Sequence, residues 1–197
     1  VPKENEIDKH SEEQALLIQV ARGDREAFRL LYAKFSKRVY NTALSYLQDA
    51  NEAEEATQDV FVQIFSSAGG FSGKSSVRTW IYRITINQCL DRIRHRKRKK
   101  RLGVLVQIFG SKGEVIHDSP DFNHPGIAME KQEAARILWT AIDRLPEQQR
   151  AAYILTYIEE LSGKEVAEVM LSSPRAVESL IQRAKANLRK LVDRGEV

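Results

Sequence analysis

The chain has 197 residues, of which 42% are hydrophobic and 29% charged, with only 10 glycines and 5 prolines. Such a composition builds one medium or two small folded domains and excludes a large barrel, a collagen-like repeat and global disorder. The net charge of +4, from 31 basic and 27 acidic residues, is modest, so the arrangement of the charges carries the information.

Helical periodicity runs through nearly the whole chain, and alternating strand patterns are almost absent. Ser11 with Gln14 reads as a capping box ahead of an apolar face of Leu16, Leu17 and Val20. Arg22-Gly23-Asp24 ends that helix, and Asp24 caps the next. From Phe28 onward, Leu31, Phe35, Val39, Ala43 and Leu47 recur every three or four residues. Asn51 with Glu54 opens a third helix that runs to about Phe65, and residues 66–76 form a loop. A fourth helix starts near Val77 and ends in a basic run. Residues 101–125 contain three glycines and two prolines and no helical stripe, and they read as a linker with a short extended piece at 104–109. Helical pattern resumes near Ile127. Pro146 suits a first helical turn, Ser162 with Glu165 is a second capping box, and Ser173-Pro174 starts the last helix. The expected fold is all-α: two small helical domains, 1–100 and 126–197, joined by the linker 101–125, with no internal repeat.

Charge is segregated along this chain. The segment 44–65 holds five acids (Asp49, Glu52, Glu54, Glu55, Asp59) and no lysine or arginine, whereas 92–101 holds eight basic residues in ten. The last helix, 174–194, has six basic residues and two acidic ones. A single charge run is usually a solvated face. A near-continuous basic block ending an amphipathic helix repels itself unless an anion lies nearby, and a phosphate backbone fits that need.

The strongest local pattern lies at 161–191. Val166, Ala167 and Met170 form one short inner face; a tight turn follows; then Val177, Leu180, Ile181, Ala184, Leu188 and Leu191 stripe a longer helix. This is the layout of a helix-turn-helix, with small Ala167 at the close approach. Ser173, Arg175, Glu178, Ser179, Gln182 and Arg183 then face outward, and their types suit base edges and phosphates. An ordinary helical hairpin shares the periodicity but gives no reason for the basic outer face. In the fourth helix, Arg78, Arg83, Asn87, Asp91 and Arg94 lie opposite an apolar face, Trp80 and Tyr82 interleave with the basics, and Phe71 and Ser75 lie in the loop before it. Rings and cations together suit single-stranded nucleic acid; Trp80 alone serves equally well as core. Residues 68–75 nearly match a phosphate-binding loop, but Ala68 stands where that pattern needs glycine, and the preceding segment reads as helix.

These segments, in this order, resemble the bacterial extracytoplasmic-function sigma factors, compact members of the sigma-70 family with regions 2 and 4 only. The resemblance rests on residues 23–44, 49–65 and 75–99 in the first domain and 145–170 and 176–190 in the second. It implies a subunit, not an enzyme, that directs core RNA polymerase to specific promoter DNA and helps to melt it. Glu52, Glu55, Gln58, Asp59, Phe61 and Ile64 then dock on the polymerase. Phe71, Ser75, Arg78, Trp80, Asn87, Asp91 and Arg94 belong to the minus-ten reader. Ser173, Arg175, Glu178, Ser179, Gln182 and Arg183 belong to the minus-thirty-five reader, and an anti-sigma factor is an expected partner. The family usually has glycine or asparagine at the helix-turn-helix turn. Leu171-Ser172 here, with leucine costing of order 1 kcal/mol in a left-handed conformation, predicts a reshaped turn.

Two rival readings are a stand-alone helix-turn-helix regulator, which accounts for 145–197 only, and a P-loop enzyme, which Ala68 opposes. One cysteine, Cys89, excludes an internal disulfide and fits a reducing compartment. The four histidines are scattered, so neither a metal nor a cofactor is expected. No apolar run approaches the roughly 20 residues that span a bilayer. Residues 1–10 lack a signal-peptide core. A cytoplasmic location without membrane insertion is expected.

Overall fold

A computed structural model describes residues 4–109 and 132–193. Eight α-helices make up the described fold: α1 (Glu4–Ala21), α2 (Arg25–Leu47), α3 (Ala50–Ser67), α4 (Val77–Phe109), α5 (Gln132–Asp143), α6 (Glu147–Tyr157), α7 (Gly163–Val169) and α8 (Pro174–Asp193). A single 3-10 turn, Ala68–Gly70, follows α3. The first four helices form one helical domain and the last four another. Of the linker, residues 110–125 lie outside the described residues, as does the start of helical pattern near Ile127.

Local chemistry explains most boundaries. The carboxylate of Asp24 accepts from the backbone N–H of Glu26 and Ala27 and starts α2. Gly23, at φ +86°, closes α1: the Gly23 and Asp24 amides donate back to the carbonyls of Val20 and Gln19. Ser76 Oγ accepts from the Thr79 amide at 3.0 Å and starts α4. Ser162 and Glu165 form the expected capping box of α7, and Ser173 Oγ accepts from the Ala176 amide at the head of α8.

Four expectations shift. α1 begins at Glu4, so Ser11 lies inside the helix and not at its cap. Asp49, not Asn51, caps α3 through the Glu52 amide at 2.8 Å; an acid two residues upstream offers a better-placed oxygen. Pro146 is the cap residue of α6, which starts at Glu147. Most consequentially, 104–109 is helical: α4 continues through Gly103 to Phe109. One interior glycine costs about 1 kcal/mol against alanine, too little to stop a helix already propagating, so α4 crosses the expected boundary at residue 100.

The stripe expected on α2 is buried from Leu31 to Leu47, and of that on α8 Val177, Ala184 and Leu188 are buried while Leu180, Ile181 and Leu191 are half-buried. Leu17, Val20, Leu31, Phe35, Val39, Val60, Phe61, Ile64, Val77 and Ile81 form the core of the first domain. A second apolar cluster joins the domains: Leu47, Ile86, Leu90 and Ile93 of the first with Trp139, Ile142, Leu145, Ile154 and Leu155 of the second. The last turns of α2 are buried on every side from Thr42 to Leu47. A helix loses its exposed face only when it is covered from two directions; here the two domains supply them.

Candidate nucleic-acid interface

In α8 the buried residues are Val177, Ala184 and Leu188, which leaves Ser173, Arg175, Glu178, Ser179, Gln182 and Arg183 exposed together on the opposite side. α8 is held against α6 and α7, with buried Ala167 on α7 allowing the close approach. The turn between α7 and α8 is not reshaped. Leu171 takes φ +50°. Its amide donates to the Glu168 carbonyl at 3.4 Å, and the Ser172 amide to the Ala167 carbonyl at 2.9 Å. This is a Schellman closure with leucine where glycine is usual. The Leu171 side chain is 76% exposed, so its cost is backbone strain without compensating packing. Arg183 folds back along its own helix, donating from Nη2 to Ser179 Oγ at 3.0 Å and from Nε to the Ser179 carbonyl at 3.2 Å.

α4 presents a different picture. Phe71 and Trp80 stack edge to face at 5.4 Å, both half-buried, so Trp80 is neither plain core nor a free ring. Ser75 is half-buried, and Asn87 and Asp91 are exposed. The basic residues are engaged. Arg78 lies over the Tyr82 ring at 5.6 Å and donates to the Glu159 carbonyl at 3.4 Å. Arg83 donates to the Glu168 carbonyl at 2.6 Å. Arg94 pairs with Asp91 at 3.3 Å and with Glu147 at 3.5 Å, and Lys97 also meets Glu147 at 3.4 Å.

The acidic helix α3 is likewise not bare. Arg92 bridges Glu55, at 3.1 Å, and Asp59, and Arg96 reaches Glu52 at 3.5 Å. Three of the five acids, Glu52, Glu55 and Asp59, therefore do have compensating bases, supplied by α4 from 33 to 44 residues away. Phe61 and Ile64 are core residues, Ile64 with no exposure at all; they support the α3 face and cannot touch a partner directly. What sequence reasoning missed lies beside them. Tyr32, Val62 and Phe65 are 46%, 68% and 45% exposed. Phe28 packs on Phe65 at 5.3 Å and Tyr32 on Phe61 at 4.5 Å. The signal was available: Val62 and Phe65 are apolar positions off the buried Ala53-Ala56-Val60-Ile64 stripe. Glu55, Gln58, Val62 and Phe65 share one face of α3 at helical spacing.

The near match to a phosphate-binding loop fails on geometry. Helix and a 3-10 turn precede Phe71 where that loop requires a strand. Among the described residues no group of three or more His, Cys, Asp or Glu is placed to hold a metal ion, and no helix is long and apolar enough to cross a membrane. The Cys89 thiol is buried, and burial pushes it up to about 12, which removes it from thiolate chemistry at neutral pH.

Two family models match this architecture: Sigma-70 region 2 over residues 31–99 and Sigma-70 region 4 over 135–188. The RNA polymerase sigma-H factor of Pseudomonas aeruginosa is 31% identical over 179 residues, covering 91% of this chain and 93% of that protein. The chain is an RNA polymerase sigma factor of the sigma-70 family. Within that family it belongs with the ECF group: SigW of Bacillus subtilis is 29% identical over 174 residues, with 87% and 92% of the two chains covered. The solved structure of CnrH in complex with the cytosolic domain of CnrY shares the fold, with a TM-score of 0.65 and 24% identity over 92% of this chain and 97% of that one. A region 2 match removes the ground for a stand-alone helix-turn-helix regulator. In this sigma factor α2 to α4 carry region 2 and α5 to α8 carry region 4.

Proposed function

We propose that the three surfaces divide the work of promoter recognition. Residues 1–100 and 126–197 act as the two functional domains. The α3 face of Glu52, Glu55, Gln58 and Asp59 docks core RNA polymerase, with Tyr32, Val62 and Phe65 as its apolar centre and Phe61 and Ile64 as its support. Phe71, Ser75, Arg78, Trp80, Asn87, Asp91 and Arg94 capture the minus-ten element as a single strand: rings stack on bases while cations follow the backbone. Ser173, Arg175, Glu178, Ser179, Gln182 and Arg183 enter the major groove of the minus-thirty-five element. The chain works in the cytoplasm, and phosphodiester chemistry belongs to the polymerase. An anti-sigma factor is a partner on this reading; the related RpoE of Bartonella quintana has been solved with its anti-sigma factor NepR.

The observation that carries the docking assignment is the exposed trio Tyr32, Val62 and Phe65. Contiguous apolar surface rimmed by polar groups marks an interaction site, and such central anchors carry most of an interface's energy. Val62→Glu is expected to weaken core polymerase binding at least about tenfold in a competition assay, with circular dichroism unchanged because Val62 supports no core. Undiminished affinity would remove the assignment.

A further inference from the structure

One face of α2 takes no part in the three surfaces assigned above. Lys34, Arg38, Asn41 and Ser45 follow one another along it at intervals of three or four residues, and Lys37 flanks them. Opposite stand Ile158 and Glu159, in the turn after α6, and together these residues line an open cleft of about 420 Å³. A cleft of that size falls within the range that holds small organic ligands. Its lining is cationic. Lys37 and Arg38 are exposed, and neither side chain has an ion pair or a hydrogen bond among the described residues. Lys34 pairs with Glu13 at 3.1 Å. Glu159 is the one carboxylate of the lining, and its two oxygens are already engaged, by Thr42 Oγ1 at 2.6 Å and by the Tyr82 hydroxyl at 2.7 Å.

The floor of the cleft adds an independent observation. Ser45 is 1% exposed, and its Oγ finds no hydrogen-bond partner in the protein. A hydroxyl buried in a helix can donate to the carbonyl four residues back. Thr42, Thr57 and Thr85 do so here, to Arg38, Ala53 and Ile81, at 2.7–2.9 Å. Ser45 does not, and a serine held by no bond is free to turn toward whatever enters the cleft. The charge and the depth together narrow the occupant. A guanidinium presents a planar fork that matches phosphate oxygens, and a neighbouring ammonium adds a point charge. A nucleic-acid backbone lying across α2 would reach Lys37 and Arg38 but not a side chain as deep as Ser45, whereas a small anion inside the cleft reaches all three. Inorganic phosphate alone would leave most of the volume unfilled, together with the acceptor of the Asn41 amide and the 37% exposed Ile158 side chain.

We propose that this cleft binds a phosphorylated small molecule of nucleotide size: Lys37 and Arg38 hold its phosphate, Asn41 and Ser45 hydrogen-bond its polar groups, and Ile158 lies against its apolar part. The site is independent of the surfaces proposed for the polymerase and for promoter DNA, because it uses none of their residues.

The test titrates the full chain with ADP and, separately, with inorganic phosphate, by isothermal titration calorimetry in low-salt buffer. ADP is expected to bind with one-to-one stoichiometry and more tightly than phosphate, which has nothing to offer Ile158. Lys37→Ala combined with Arg38→Ala is expected to lower ADP affinity at least about tenfold, since both charge-assisted contacts are lost. Ser45→Ala is expected to lower it about threefold, the effect of one neutral hydrogen bond. That variant removes a hydroxyl that bonds nothing in the protein, so it reads binding and not folding; circular dichroism checks the double variant. Arg25→Ala combined with Arg29→Ala removes the same charge from the head of α2, outside the cleft, and is expected to leave ADP affinity unchanged. Absence of ADP binding, or equal losses in the two double variants, overturns the proposal. Phosphate binding as tightly as ADP overturns the nucleotide-sized ligand. Loss of affinity for a dT20 strand in the Lys37 and Arg38 double variant, with no ADP binding to the unmodified chain, assigns the face to DNA and likewise overturns it. No readout involves the polymerase, so failure of docking in the Val62→Glu assay leaves this test intact.

Discussion

Helices α4 and α8 are both amphipathic, both basic on one face and both proposed above to read DNA, yet the fold treats them oppositely. In the first half of α8 the outward side chains meet solvent and Arg183 bonds its own helix; farther on, Lys185 lies over the Tyr157 ring at 4.9 Å and Asn187 donates to Gln149 at 2.8 Å. The basic side chains of α4 as far as Lys97 meet the rest of the protein: Arg92 and Arg96 are taken up by α3, and Arg78, Arg83, Arg94 and Lys97 by the second domain, while Asn87 and Asp91 stay exposed. Charge alone therefore does not tell an available nucleic-acid surface from an occupied one. What separates them is whether opposite charge and carbonyl oxygens elsewhere in the chain fold onto that face. α8 packs against helices of its own domain only and escapes this; α4 packs against three helices of its own domain and then against the second domain, and does not.

The largest expected effect on this contrast comes from Arg150. It is almost fully buried, donates to Asp143 at 2.5 Å and to the Tyr46 carbonyl, and lies over the Tyr46 ring at 5.9 Å. Arg150→Ala removes two hydrogen bonds that involve a charged group, each worth about 1.5–3 kcal/mol, and leaves the Tyr46 carbonyl unpaired. A loss of about 3 kcal/mol in urea unfolding is expected, with duplex binding through α8 retained in native buffer. A loss confined to α8 binding would invert the contrast.

A middle-sized effect separates the two arginines of α8. On the proposed assignment Arg175, exposed one residue after Pro174, meets a base edge. Arg175→Ala should cost about 1–3 kcal/mol at one base pair of the upstream element and relax the preference there. Arg183→Ala should weaken all promoters alike and lower the salt slope by about one. A selection from a promoter library with each variant reads both, and identical profiles for the two variants would contradict the division.

The smallest effect concerns the turn that aims α8. Leu171 bears a left-handed strain of about 1 kcal/mol that glycine would not. Since its side chain packs on little, Leu171→Gly is expected to stabilise the second domain by up to about 1 kcal/mol in a thermal melt, without altering promoter preference. A changed preference would mean that the leucine side chain itself sets the angle of α8.

Features that depend on residues three or four apart are legible in the amino-acid order alone. The stripe Leu31-Phe35-Val39-Ala43 on α2, the box Ser162-Glu165 and the Ser173-Pro174 start of α8 are of this kind, because helix geometry brings i, i+3 and i+4 together whatever the rest of the chain does. The exposed trio on α2 and α3 is half legible: Val62 and Phe65 fall off the buried stripe, but only packing shows that Phe28 comes to meet Phe65 and Tyr32 to meet Phe61. The expected extended piece at 104–109 fails for the opposite reason. Gly103 is a local breaker, but the helix that runs into it is already formed, and propagation costs far less than nucleation.

Sequence alone determined the all-α class, the two domains, and which residues carry charge and aromatic rings. Tertiary structure alone decided which of those residues remain available. Glu159 meets Thr42 and Tyr82 across 117 and 77 residues of chain, and Arg92 meets Asp59 across 33. No periodicity encodes a meeting at such separations. It follows from how apolar faces pack once the helices exist, and that packing leaves the outward face of α8 open and engages most of the arginines of α4.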